Sequence, residues 1–112
     1  MNWNEIKEKY RKAYLLMIKQ LDSKRLLDIN AEPRNIRDLY DFFDEQGILI
    51  IIDKDWEYMY SDDMERRYLK TWNYEISQEP FYGDSYETRT EAEQAAFEKA
   101  FEILERRLWK LT

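Results

Sequence analysis

Between Thr88 and Leu108 the apolar residues fall into two neighbouring rows at helical spacing. Ala92, Ala96, Ala100 and Ile103 form one row, and Phe97, Phe101, Leu104 and Leu108 form the other. A row of small side chains beside a row of large ones lets a helix axis approach a sheet closely, so this segment predicts a long helix lying across a sheet. Thr88-Arg89-Thr90-Glu91 has the spacing of a capping box, and Thr90 with Glu93 repeats it two residues later. The opposite face, with Glu98, Glu102, Glu105 and Arg106, is expected in solvent.

The sheet comes from the middle of the chain. Ile48-Leu49-Ile50-Ile51-Ile52 is β-branched and apolar without alternation, as in a central strand covered on both faces. After Asp53-Lys54-Asp55, expected to be a tight hairpin turn, Trp56-Glu57-Tyr58-Met59-Tyr60 resumes as an aromatic strand. Ser61 to Arg67 is polar and loop-like. Tyr68 to Ser77 alternates, with Trp72, Tyr74 and Ile76 on the inward face. Pro80 and Gly83 mark a turn, and Tyr82 to Glu87 reads as a short edge strand.

Upstream, Ile6, Tyr10, Ala13, Tyr14, Met17, Ile18 and Leu21 place one apolar stripe on a helix expected from Trp3 to Leu26, with Asn2 and Glu5 as a variant capping box and Lys24 and Arg25 at its end. A second helix is expected from Pro33 to Gln46, with Ile36, Leu39, Tyr40 and Phe43 inward and Gly47 as a left-handed stop. Its charges run against the helix dipole, with Arg34 and Arg37 near the start and Asp38, Asp41, Asp44 and Glu45 further on. The resulting fold class is α+β, in the order α-α-β-β-β(-β)-α: two N-terminal helices, an antiparallel sheet of three to four strands and a C-terminal helix packed on it. At 112 residues without a linker or internal repeat, the whole of 1–112 reads as one domain.

Composition narrows the chemistry. The chain has neither His nor Cys, which removes the usual general base, thiolate nucleophiles, disulfides and imidazole or thiolate metal sites. With only Gly47 and Gly83, it has no glycine-rich phosphate loop. No catalytic, cofactor or metal residues are therefore assigned from sequence, and no cofactor is expected. The net charge of −6 argues against direct nucleic-acid binding. That charge is uneven, with seven Lys/Arg against three Asp/Glu before Asp28 and 11 against 21 from Asp28 onward. No run approaches the length of apolar chain needed to span a bilayer, and the N-terminal stretch alternates charges where a signal peptide needs an apolar core, so a cytoplasmic protein away from membranes is expected.

Two features remain to carry function. Asp53, Asp55, Glu57, Asp62 and Asp63 imitate the start of an EF-hand loop, but Tyr58 and Met64 stand at its glycine and bidentate glutamate positions. A metal-assisted carboxylate hydrolase centred on Asp53, Asp55, Asp62 and Asp63 is one alternative reading. The other feature is an aromatic surplus, 16% of residues, concentrated around the strands with Arg66, Arg67 and Arg89 nearby. That is the composition of a protein interface, and Trp56, Tyr58, Tyr60, Tyr82 and Tyr86 are the candidate interaction residues.

Trp72-Asn73-Tyr74-Glu75-Ile76, a Pro/Gly-containing turn, then Tyr86-Glu87-Thr88-Arg89-Thr90-Glu91-Ala92-Glu93-Gln94-Ala95-Ala96 leading into Lys99-Ala100-Phe101-Glu102-Ile103-Leu104 resemble the C-terminal part of small proteins encoded by phages and mobile elements of gut anaerobes. The resemblance covers about the last 40 residues. It implies an accessory role and carries over no catalytic residues. The leading expectation is a non-enzymatic accessory or interaction module that binds another protein or itself as a homodimer. A further alternative is an inhibitor whose acidic body imitates nucleic-acid phosphate before a basic host protein.

Overall fold

A computed structural model of the chain describes the backbone of residues 1–60, 66–76, 81–82 and 85–110, with side chains for 1–54, 71–76 and 85–110. It is an α+β protein with helices α1 (Trp3–Lys9), α2 (Arg11–Ser23), α3 (Ile36–Glu45) and α4 (Arg89–Lys110), and strands β1 (Ile50–Tyr60), β2 (Arg66–Ile76) and β3 (Phe81–Tyr82). β1 and β2 form an antiparallel ladder from Ile50↔Ile76 to Tyr60↔Arg66, and β3 adds two residues beside Glu75 and Ile76. An isolated bridge pairs Trp72 with Tyr86, whose backbones exchange two hydrogen bonds of 2.8 Å. The sheet is thus in effect a long two-strand hairpin with a stub at its side, less than the three to four strands expected. No helix among the described residues is long and apolar enough to cross a membrane.

Three expectations about the strands are corrected. The chain does not turn at Asp53-Lys54-Asp55 but continues straight through it, since these residues pair with Asn73, Trp72 and Thr71. Continuous pairing with β2 carries the strand through this segment, and the Lys54 ammonium lies 5.4 Å from the centre of the opposite Trp72 ring. The Ile48–Ile52 run is not the middle strand: β1 lies at the sheet edge and β2 at its centre. Nor is the run covered on both faces. Ile48 and Ile50 are buried, while Leu49 and Ile51 are 46% and 38% exposed. Ser61 to Glu65 and the turn at Pro80 and Gly83 lie outside the described residues.

α4 lies against β1 and β2, as its two apolar rows predict, and also against α2. Ala92, Ala96 and Ala100 are wholly buried, and Phe97, Phe101, Ile103 and Leu104 are nearly so. The sheet contributes Ile50, Tyr74 and Ile76 to the same core. Phe43 of α3 sits at its centre, its ring 4.9 Å from that of Phe101 at 81° and stacked at 6.1 Å on that of Phe97. Thr88 accepts from the Glu91 N–H at 3.2 Å and caps α4. The repeat of that spacing at Thr90 does no capping, because Glu93 is buried and accepts from Arg89 at 3.1 Å instead.

The other helices differ in part from the expected boundaries. Asn2 accepts from the Glu5 N–H, but the Glu5 carboxylate reaches forward to Lys9 instead of closing the box. α3 starts at Ile36 with Asn35 as its cap, later than expected, because Pro33 is drawn into a bridge with Leu27. Asp38 consequently falls in the first turn, where the dipole favours an acid. Gly47 takes φ 76° and lets the Ile48 N–H reach back to the Phe43 carbonyl, ending α3. The expected single helix from Trp3 to Leu26 is broken at Tyr10, with φ −128° and ψ 54°. Replacing Phe43 by Ala should lower the unfolding free energy by about 3–5 kcal/mol in urea titrations followed by circular dichroism, and a loss under about 1 kcal/mol would show that the core is not centred there.

Candidate interaction surface

The ladder fixes where the candidate interaction residues stand. Trp56, Tyr58 and Tyr60 pair with Lys70, Tyr68 and Arg66, and they continue the alternate positions of Ile50, Ile52 and Lys54 along β1. By register these are positions on one face of the hairpin, the face that carries Ile50, Tyr74 and Ile76 at its other end. The side chains of Trp56, Tyr58, Tyr60 and Tyr82 lie outside the described residues. Tyr86 does not join an open aromatic face. It is half-buried against the core, with its ring stacked 6.1 Å from that of Tyr74 at 27°.

On the other face of the ladder, Ile51, Asp53, Asp55, Glu57 and Met59 hold the alternate positions of β1. Across from the three acids stand Asn73, Thr71 and Leu69, so no base occupies a directly opposite position. Asp53 is exposed in mid-strand, not at a loop tip, which removes the loop geometry of the carboxylate-hydrolase reading at that residue. Asp62 and Asp63 lie outside the described residues. No group of acids placed to hold a metal ion occurs among the described residues.

A different constellation was not legible in the sequence. Glu105, expected in solvent, is 8% exposed and points into the joint between α1 and α2. Its carboxylate accepts the backbone N–H of Ala13 at 2.7 Å and of Lys12 at 3.1 Å, and the indole N–H of Trp109 at 3.0 Å. It is the N-cap that α2 lacks, since Tyr10 makes no side-chain capping bond. The Lys12 ammonium lies 3.8 Å from the centre of the Trp109 ring, which is itself 61% exposed. Three donors compensate the burial of this carboxylate, so its role is to build the fold.

A second buried polar group joins α3 to α4. Tyr40 lies 4.9 Å from the Phe97 ring, and its hydroxyl and Glu93 Oε2 are buried without a well-aligned hydrogen-bond partner among the described residues. Burial first, and the neighbouring Glu93 carboxylate second, push the Tyr40 phenol up to about 12. Between α2 and α3 runs a groove of about 270 Å³ whose lining includes Asp38, Asp41, Asp44, Glu45 and Lys24. The Lys24 ammonium is 2.5 Å from the Glu45 carboxylate, so it serves this pairing and not the end of its own helix.

Comparison with protein-family models, with curated proteins and with solved structures finds no match to this chain.

Two outcomes follow from these buried groups. Glu105→Ala strands two helix-end donors and should cost about 1–3 kcal/mol in urea unfolding, with faster amide exchange at Lys12 and Ala13; unchanged stability would remove the cap from the fold's essentials. For Tyr40, the unfolded chain releases its proton near the ordinary 10.0 and the folded chain only near 12, so the folded state binds more protons in that window and stability falls as pH rises through it. A near-ultraviolet absorbance titration should show a late tyrosine that Tyr40→Phe abolishes, and an unchanged titration in that variant would assign the late proton elsewhere.

Proposed function

We propose that this chain is a non-enzymatic accessory module that acts by binding another protein, with the β1–β2 hairpin as its contact element. The observation that carries the reading is the length of the hairpin together with the residue types along it. Each strand has 11 residues, and the end that holds Ile50, Tyr74 and Ile76 joins the buried core. The ladder runs on for six pairs from Asp55↔Thr71 to Tyr60↔Arg66. That is about 20 Å of paired backbone. Its sequence is rich in the Trp, Tyr and Arg that dominate binding energy at protein interfaces.

The absence of His, Cys and a glycine loop from the sequence supports a binding role over a catalytic one. The resemblance of the Trp72 to Leu104 stretch to small proteins of phages and mobile elements fits an accessory of this kind. Partner capture with the whole chain as bait should lose its captured proteins when Trp56, Tyr58 and Tyr60 are all replaced by Ser, while circular dichroism and thermal unfolding show the helical body intact. Equal capture by the triple variant would overturn the hairpin as the contact element.

A further inference from the structure

We propose that the outer edge of β1 takes up an extended, basic segment of a partner protein as an added strand. This rests on the binding role proposed above and names the chemistry of the partner. Among the described residues β1 is hydrogen-bonded to β2 alone, so its second edge faces no strand over 11 residues. An exposed edge of that length is a template for another strand unless something restricts what can pair with it. Here the restriction is charge. Asp53, Asp55 and Glu57 occupy successive positions of one face of this edge strand, about 7 Å apart along the chain. Their cross-strand positions hold Asn73, Thr71 and Leu69, so the sheet sets no base directly opposite the stripe.

The same pattern disfavours a second copy of this chain in the registers centred on the stripe. Two β1 strands joined edge to edge in antiparallel fashion must match positions of the same face. When such a pair is centred on Asp53, Lys54, Asp55, Trp56 or Glu57, at least one acid stands opposite an acid, which is destabilising. A strand with Lys or Arg at every second position meets the opposite situation. Each base stands beside an acid with no base at its directly opposite position, while the backbone supplies the remaining affinity through ladder hydrogen bonds. Ile51, 38% exposed at the start of the stripe, offers an apolar position beside which an aliphatic residue would rest.

The test uses the full chain and a blocked Lys-Val-Lys-Val-Lys-Val peptide, titrated by calorimetry and read by amide exchange. Saturable binding that weakens with salt and slows exchange of the β1 amides is the expected result. Asp53→Lys/Asp55→Lys/Glu57→Lys should weaken binding at least about tenfold and allow a Glu-Val-Glu-Val-Glu-Val peptide to bind instead. The neutral variant Asp53→Asn/Asp55→Asn/Glu57→Gln should fall between them. A Lys-Val peptide N-methylated at alternate residues keeps its charge but cannot extend the ladder, and it should not bind. Absence of saturable binding by the wild-type chain overturns the proposal, as does equal binding by the N-methylated peptide or by the reversed-charge variant. If the aromatic triple variant still loses its captured proteins in that event, the hairpin remains the contact element and only the edge-strand chemistry is wrong.

Discussion

The Glu105 carboxylate is the point on which the helical part of this protein turns. A helix start leaves backbone N–H groups without acceptors, and α2 starts at a tyrosine that caps nothing. Glu105 arrives from α4, more than 90 residues along the chain, and takes two of those donors and the Trp109 indole at once. The acid is on α4 and its main donors are on α2, so the bond locks these helices together where α1 bends away. Trp3 of α1 can then reach the Phe101 ring at 6.2 Å, and Ile6 enters the core.

α4 organises the rest. Its alanine row allows close approach to its neighbours, and its phenylalanines meet the rings of Tyr40 and Phe43 from α3. The Arg107 guanidinium donates to the Gln46 carbonyl at the end of α3, fastening the turn that feeds β1. After that anchored turn Ile48 and Ile50 are buried, and β1 then runs on in register with β2 as far as Tyr60↔Arg66. The body is thus held by apolar packing and a few buried polar bonds, and binding is proposed at the hairpin that extends from it.

Much of this architecture follows from local rules. The apolar rows of α4, its Thr88 cap, the Gly47 stop and the burial of Tyr74 and Ile76 depend only on near neighbours and stand as expected, whereas Trp72 is only half-buried and Thr71, expected on the outward face, is buried. The errors arose where a distant residue decides. The break at Tyr10 has no proline or glycine to announce it, because its stabilising acceptor is Glu105. The run through Asp53-Lys54-Asp55 looks like a turn by composition, and it is a strand because β2 pairs with it in continuous register. Of the candidate interface, the sequence shows the aromatic richness and the spacing of Asp55 and Glu57, but not that Tyr86 would fold against Tyr74.

The sequence by itself determined the α+β class, the long capped C-terminal helix, the identity of most core residues and the exclusion of chemistry that needs His, Cys or a glycine loop. These depend on residue type and on periods of two and 3.6, which any local reading detects. Tertiary structure decided which acid is buried, which strand lies at the edge and how far the hairpin runs. Those outcomes depend on partners dozens of residues away, whose meeting is fixed only when α4 settles on both the sheet and α2.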